Sequence, residues 1–143
     1  MAVSVTFYNS YKKSLGDATI DLVNDTVKMA LLDETHTPNY DTHDNFDDVS
    51  TEEISSAGYT SGGTALSTKA VTQDNTGDKG VFDCDDLSWT GLTATVRYAV
   101  VYKDSGTPST SPLICLVDLG ADTALSGSNL NININASGLI NFS

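Results

Sequence analysis

The closest approach to an acid–base pair in this chain is made by Asp83 and Asp85, which flank Cys84. Alternate side chains of a β-strand point to the same face, so in an extended segment the two carboxyl groups would lie together. Such a pair can bind a metal ion or act as acid and base in glycoside hydrolysis. Nothing in the sequence selects this chemistry over an exposed acidic strand face, so we predict no catalytic residues here.

Histidine and serine chemistry is not indicated either. His36 and His43 are seven residues apart, but Pro38 lies between them and interrupts any helix that would bring them to one face. We therefore expect two exposed loop histidines. A hydrolase serine commonly lies on a tight elbow within Gly-X-Ser-X-Gly, which is absent from the sequence, and Ser61 belongs to a plain glycine-rich turn.

Two acidic stretches have some of the oxygen ligands that calcium prefers. Residues 74–80 place Asp74, Thr76 and Asp78 at the spacing of an EF-hand loop, but Lys79 occupies the position that requires glycine. A hairpin turn is the better interpretation of this stretch. The other stretch contains four aspartates: Asp41, Asp44, Asp47 and Asp48. We predict no metal ion and no cofactor for either.

Two cysteines, Cys84 and Cys115, are 31 residues apart. Two thiols without nearby histidines do not complete a tetrahedral zinc site. They fit either two reduced, buried thiols in neighbouring strands or a disulfide, which would persist only outside a reducing compartment. The spacing leaves both alternatives open.

The charge of the chain narrows the range of partners. Its 143 residues include 19 acidic and 7 basic side chains, a formal net charge of −12. Such a surface repels nucleic-acid phosphates and anionic lipid head groups, so we expect neither nucleic acid nor membrane as a partner. Residues 1–8 lack the basic region of a signal peptide, and no apolar stretch approaches the ~20 residues of a membrane helix, which predicts synthesis in a cytoplasm.

The hydrophobic pattern predicts an all-β fold. Short alternating or apolar segments recur between turn signals, which indicates about eight strands. No helix of ten or more residues is predicted, and the one helical segment expected is a turn or two near residues 9–16. A hairpin is expected around Asn24 and Asp25, joining residues 18–22 to 26–32. We predict one domain over residues 1–143, a β-sandwich or jelly-roll-like barrel, with a long acidic surface loop at 33–63.

Several stretches, taken in order, resemble a family of small virion proteins encoded by tailed bacteriophages. They are DATIDL (17–22), VKMALL (27–32), TPNYDTH (37–43), AGYTSGGTAL (57–66), DCDDLSW (83–89), RYAVVYKD (97–104) and SPLI (111–114). The resemblance implies a non-enzymatic structural protein of the virion that binds the outside of the capsid and decorates or stabilises it. The implied partner is the major capsid protein, and homo-oligomers are compatible with this role. Cys84 and Cys115 lie where relatives are expected to have small or apolar residues, which favours slightly the disulfide alternative.

Contact with a capsid would come from termini and loops, often by adding a strand to a sheet edge. The residues that we expect to contact the partner are Val5, Phe7, Tyr40, Phe46, Ile54 and Phe142. The alternative function is that of a tail, collar or fibre component. In that role Tyr98 and Tyr102, which share a strand face, would stack against host glycans.

Overall fold

The computed structural model describes residues 3–143, so Met1 and Ala2, part of the segment expected to lack a signal peptide, lie outside it. Within this range the chain forms eight β-strands and one α-helix, α1 (Asn9–Asp17). The strands are β1 (Ser4–Phe7), β2 (Val27–Leu32), β3 (Thr64–Ala65), β4 (Ala70–Asp74), β5 (Lys79–Asp83), β6 (Leu87–Lys103), β7 (Leu113–Ile132) and β8 (Ile140–Phe142). Single 3₁₀ turns occur at Phe46–Asp48, Ser50–Glu52 and Pro108–Thr110.

The strands form two antiparallel sheets. The five-stranded sheet has the order β1-β7-β6-β2-β3, and the three-stranded sheet has the order β4-β5-β8. β6 and β7 are 17 and 20 residues long and pair along their length, from Leu87 opposite Ile132 to Tyr102 opposite Leu113. The predicted all-β, sandwich-like fold is confirmed, although the sheets do not close into a barrel.

The five-stranded sheet is covered on both faces. One apolar cluster lies between the two sheets and includes Val101, Phe82 and Ile140. A second cluster lies beneath the segment that follows β2 and includes Leu32 and Tyr102. A strand buried on both faces needs apolar residues in succession rather than in alternation, which explains the nearly continuous apolar run of β2.

The predicted hairpin around Asn24 and Asp25 is wrong. The Asp21 carboxylate accepts hydrogen bonds from the backbone N–H groups of Val23 and Asn24, both at 3.0 Å, and the Asp25 carboxylate accepts from the N–H of Asp21 at 2.8 Å. These side chains satisfy the backbone locally, so residues 18–26 need no partner strand. β2 pairs with β6 and β3 instead.

The chain is interrupted between β3 and β4 and again between β5 and β6. Thr68 has a φ of 51°, which separates β3 from β4. Residues 84–86 separate β5 from β6, and the chain passes there from one sheet to the other. The short helix near residues 9–16 is confirmed as α1, and none of the helices in residues 3–143 has the length and apolar character to cross a bilayer.

Gly63 provides a test of the packing between β2 and the segment before β3. Its φ is +78°, and a Cβ atom there would overlap the carbonyl oxygen of Met29. We expect Gly63→Ala to lower the free energy of unfolding by about 2 kcal/mol or more, because alanine disfavours the positive φ and its Cβ would overlap the Met29 carbonyl. The matched variant Gly16→Ala lies in α1 with open space around it, and it should raise stability by about 0.5–1 kcal/mol. Urea unfolding measures both, and equal midpoints for the two variants would contradict the packing.

Candidate functional site

The edge of the five-stranded sheet at β1 is open. β1 pairs with β7 on one side, from Ser4 opposite Asp118 to Phe7 opposite Cys115, and the sheet ends there. The backbone N–H and C=O groups on the other side of β1 therefore have no strand partner among the described residues. β1 has no charge, proline or bulge to discourage pairing, and its Val5 side chain is 41% exposed.

A cleft runs along β1, and the chain returning to β8 forms its opposite wall. One hollow of about 390 Å³ lies between Val5 and Phe7 on one side and residues 137–141 on the other. A second hollow of about 310 Å³ continues it past Val3 and Val117. Both share Val5, Asn135, Gly138 and Leu139. We call these two hollows together the β1 cleft.

Local chemistry fixes the wall at residues 135–139. The N–H of Gly138 donates to the carbonyl of Asn135 at 2.7 Å, and the N–H of Leu139 donates to the carbonyl of Phe82 at 2.9 Å. Gly138 has a φ of +90° and is packed so closely on β5 that a Cβ atom would overlap the Val81 side chain. Only glycine tolerates both this positive φ and this close contact, so Gly138 allows residues 135–139 to pack directly on β5.

Aromatic packing joins the two sides of the β1 cleft. The Phe7 ring of β1 and the Phe142 ring of β8 are nearly parallel, with an interplanar angle of 8° and centroids 6.3 Å apart. Phe7 also packs on Tyr11 of α1, with centroids 5.5 Å apart. β8 is itself the last strand of its sheet, so the cleft is bordered by edge strands of both sheets.

The lining of the β1 cleft is uncharged. Its residues are Val3, Val5, Phe7, Val117, Ile132, Asn133, Ile134, Asn135, Ser137, Gly138, Leu139, Ile140 and Asn141. A neutral strip of this extent contrasts with a chain whose net charge is −12. Apolar and amide side chains beside an open strand edge can bind an extended peptide, and they supply no acid, base or nucleophile.

The six residues expected to contact a partner are divided by the fold. Val5 and Phe7 line the β1 cleft, and Phe142 stacks on Phe7 without lining the cleft. Tyr40 is half-buried with its ring 5.4 Å from that of Tyr8, away from this site. Phe46 and Ile54 are 5% and 6% exposed, because their side chains fill the two apolar clusters, and they offer little surface to a partner.

The acidic segment at residues 33–63 is tied to the sheet rather than standing free. Ile54 donates its N–H to the carbonyl of Leu31 at 3.0 Å. The Glu53 carboxylate accepts from the Tyr59 hydroxyl and from the Gly62 N–H, both at 2.6 Å, while the Tyr59 hydroxyl accepts from the N–H of Leu31 at 3.0 Å. No sequence signal points to this role of Glu53, because nothing in an acidic loop distinguishes a carboxylate that accepts such hydrogen bonds from its solvated neighbours.

The candidate acid–base pair is not formed as a strand pair. Asp83 is the last residue of β5, while Asp85 lies beyond the strand. The Asp85 carboxylate accepts from the hydroxyls of Ser67 and Thr68 at 3.0 and 2.6 Å, and it thereby fixes the turn between β3 and β4. Across residues 3–143 no group of three or more His, Cys, Asp or Glu side chains is arranged to hold a metal ion.

The stretch at residues 74–80 forms the predicted hairpin turn, between β4 and β5. The Asp74 carboxylate accepts from the backbone N–H groups of Thr76 and Gly77, both at 3.0 Å. In the other acidic stretch, the Asp48 carboxylate accepts from the N–H groups of Asp44 and Asn45 at 2.8 and 3.0 Å. In both stretches carboxylate oxygens close turns of the backbone.

The two tyrosines considered for glycan stacking do not form a platform. Tyr102 is buried, its ring stacks on Phe46 with centroids 4.2 Å apart, and its hydroxyl donates to the carbonyl of Gly62 at 2.6 Å. Burial raises the pKa of Tyr102 above its usual range. Tyr98 is half-buried, and its ring lies 5.4 Å from that of His36 in an edge-on contact.

Cys84 and Cys115 are both buried free thiols within the cluster between the sheets. Burial raises the pKa of the Cys84 thiol to about 11, and the nearby Asp83 and Asp85 carboxylates add to this. Burial alone raises the pKa of Cys115 well above its usual range. Neither thiol has the depressed pKa of a nucleophile.

Comparison with protein-family models, with curated proteins and with solved structures finds no match for this chain.

The thiols give a direct test of the core. At pH 8 we expect the native protein to react with a thiol reagent such as DTNB at least a hundredfold more slowly than the urea-unfolded protein, because both sulfurs are shielded and protonated. Unfolding without reductant should release two reactive thiols per chain. A count of zero, with a peptide joining Cys84 to Cys115 in a non-reducing digest, would establish the disulfide instead.

Proposed function

We propose that this chain is a non-enzymatic structural protein of a bacteriophage particle, which binds the outside of the capsid and decorates or stabilises it. The β1 cleft is the docking site in this proposal, and an extended segment of the major capsid protein is its occupant. The observation that carries the proposal is the unpaired edge of β1 beside an uncharged cleft on a strongly acidic chain.

The free edge of β1 is the first feature that favours strand addition. An open edge with exposed apolar side chains associates readily with other strands, and soluble proteins usually protect such edges with charge, proline or bulges. Here the strongly acidic surface keeps copies apart, while the edge itself carries none of these protections. Strand addition would satisfy the free N–H and C=O groups, and alternate side chains of the added strand would enter the cleft.

The charge of the chain favours a partner with a neutral or basic docking segment. Long-range repulsion would disfavour acidic segments and would also disfavour a second copy of this chain, although each copy presents an equivalent edge. The identification of the partner as a capsid protein depends on the resemblance of the ordered sequence stretches to small virion proteins. A protein that bridges capsid subunits would stabilise the assembled shell by mass action.

A charge placed on the edge tests the docking site. We expect Val5→Lys to weaken binding to capsids prepared without this protein by at least tenfold, measured by co-sedimentation, because lysine on an edge strand opposes strand addition. Val23→Lys is the matched control, since Val23 is 40% exposed against 41% for Val5 and lies outside the β1 cleft. Equal binding by the two variants, each folded by circular dichroism, would remove the β1 cleft from the proposal.

The location in the particle is tested separately by immunogold labelling of intact virions with an antibody to this chain. Gold spread evenly over the heads is the expected result for a capsid-decorating protein. Gold confined to the neck, tail or fibres would overturn the head assignment and favour the role of a tail, collar or fibre component. Absence of gold from purified virions, with the chain absent from their protein content, would overturn the structural role itself.

A further inference from the structure

A pair of histidines lies between the acidic segment and the five-stranded sheet. His36 is 4% exposed, and the centroid of its ring lies 5.7 Å from that of the His43 ring. On the side of the sheet, the His36 ring meets Tyr98 of β6 in an edge-on contact at 5.4 Å. The two imidazoles therefore connect both the start and the middle of the acidic segment to β6.

The polar atoms of these rings are almost without partners. Nε2 of His36 and Nδ1 of His43 are both shielded from solvent and have no hydrogen-bond partner. Nδ1 of His36 lies 3.7 Å from Oε2 of Glu52, a distance too long for a good hydrogen bond. The site therefore suits neutral imidazoles, because a protonated ring would have an N–H donor buried without an acceptor.

The titratable groups around His36 come from the acidic segment and from β6. From the acidic segment it faces the carboxylates of Glu52 and Asp33, and from the same segment the ring of His43. From β6 it faces Tyr98, whose ring lies 5.4 Å from the Arg97 guanidinium. That guanidinium is itself bound to Asp118 and Asp122 of β7, at 2.8 and 3.2 Å.

Burial lowers the pKa of His36 below its usual range, and the opposing attraction of Glu52 does not restore it. If residues 33–54 moved away from the sheet, His36 would be solvated and its pKa would return to about 6.5. The segment packed on the sheet, here called closed, therefore binds fewer protons than the released, open segment. Its stability is fully present above about pH 6.5 and decreases as the pH falls below that value.

We propose that His36, which packs on His43, forms an acid-sensitive latch that holds residues 33–54 against the sheet at neutral pH and releases them when the His36 ring is protonated. Release uncovers the apolar face formed by Leu32, Val100 and Tyr102, which the segment otherwise covers through Phe46 and Val49. The latch is independent of the β1 cleft and of the proposed capsid role.

Hydrogen exchange of the whole chain at pH 7.5 and pH 5.0, corrected for intrinsic rates, tests the latch. We expect peptides from residues 33–54 to lose protection at least tenfold more than peptides from β6 and β7 at pH 5.0. His36→Phe keeps an aromatic ring without a charge and should abolish this difference. His36→Gln is a second uncharged variant, in case phenylalanine disturbs packing, and it should behave in the same way.

Glu52→Gln separates a latch from a merely structural contact. Removing this carboxylate lowers the pKa of His36 in the closed state further, so the loss of protection between pH 7.5 and pH 5.0 should become larger than in the wild type. Wild-type protection that does not change with pH would overturn the latch. If His36→Phe and His36→Gln show the same pH dependence as the wild type, the effect comes from carboxylates, and the latch is overturned as well.

Discussion

The antiparallel pairing of β6 with β7 is the interaction on which the rest of the molecule depends. These two strands occupy the middle of the five-stranded sheet, and both β1 and β2 attach to them. Bulges between Trp89 and Ala94 and near Arg97 interrupt the register and allow strands of this length to bend. Their successive apolar residues, such as those from Leu113 to Val117, supply side chains to both faces, so one hairpin supports two apolar clusters.

Covering both faces of this sheet requires two different pieces of chain. The three-stranded sheet and α1 cover one face, and the acidic segment after β2 covers the other. A segment rich in carboxylates covers an apolar face only through isolated anchors, here Phe46 and Val49, together with backbone and carboxylate hydrogen bonds such as those of Glu53. Such a cover packs on the sheet through few apolar side chains, which is typical of the parts of a fold that open locally.

In the proposed function, the edges of the sheets supply the binding surface. Its carboxylates are used mainly to close turns, its cysteines and three of its six tyrosines are buried, and a neutral surface lies beside β1. A cleft that joins an unpaired edge to apolar side chains is complementary to an extended peptide. Net charge then decides which peptides approach it, because repulsion acts over longer distances than the contacts in the cleft.

The sequence by itself determined the all-β class, the short helix α1, the β4–β5 hairpin and the strands dense in β-branched residues, since alternation, apolar runs and turn residues are local signals. It also predicted Val5, Phe7 and Phe142 as partner contacts, and this stays a prediction. Tertiary structure alone decided that Phe7 meets Phe142, that Phe46 and Ile54 are interior, and that His36 is buried rather than exposed. Each of these facts depends on residues brought together from distant parts of the chain: Phe142 on β1, Phe46 on Tyr102 and His36 on Tyr98. The failed hairpin at Asn24 has the same cause, because the choice between a local carboxylate turn and a partner strand was made by the pairing of β2 with β6.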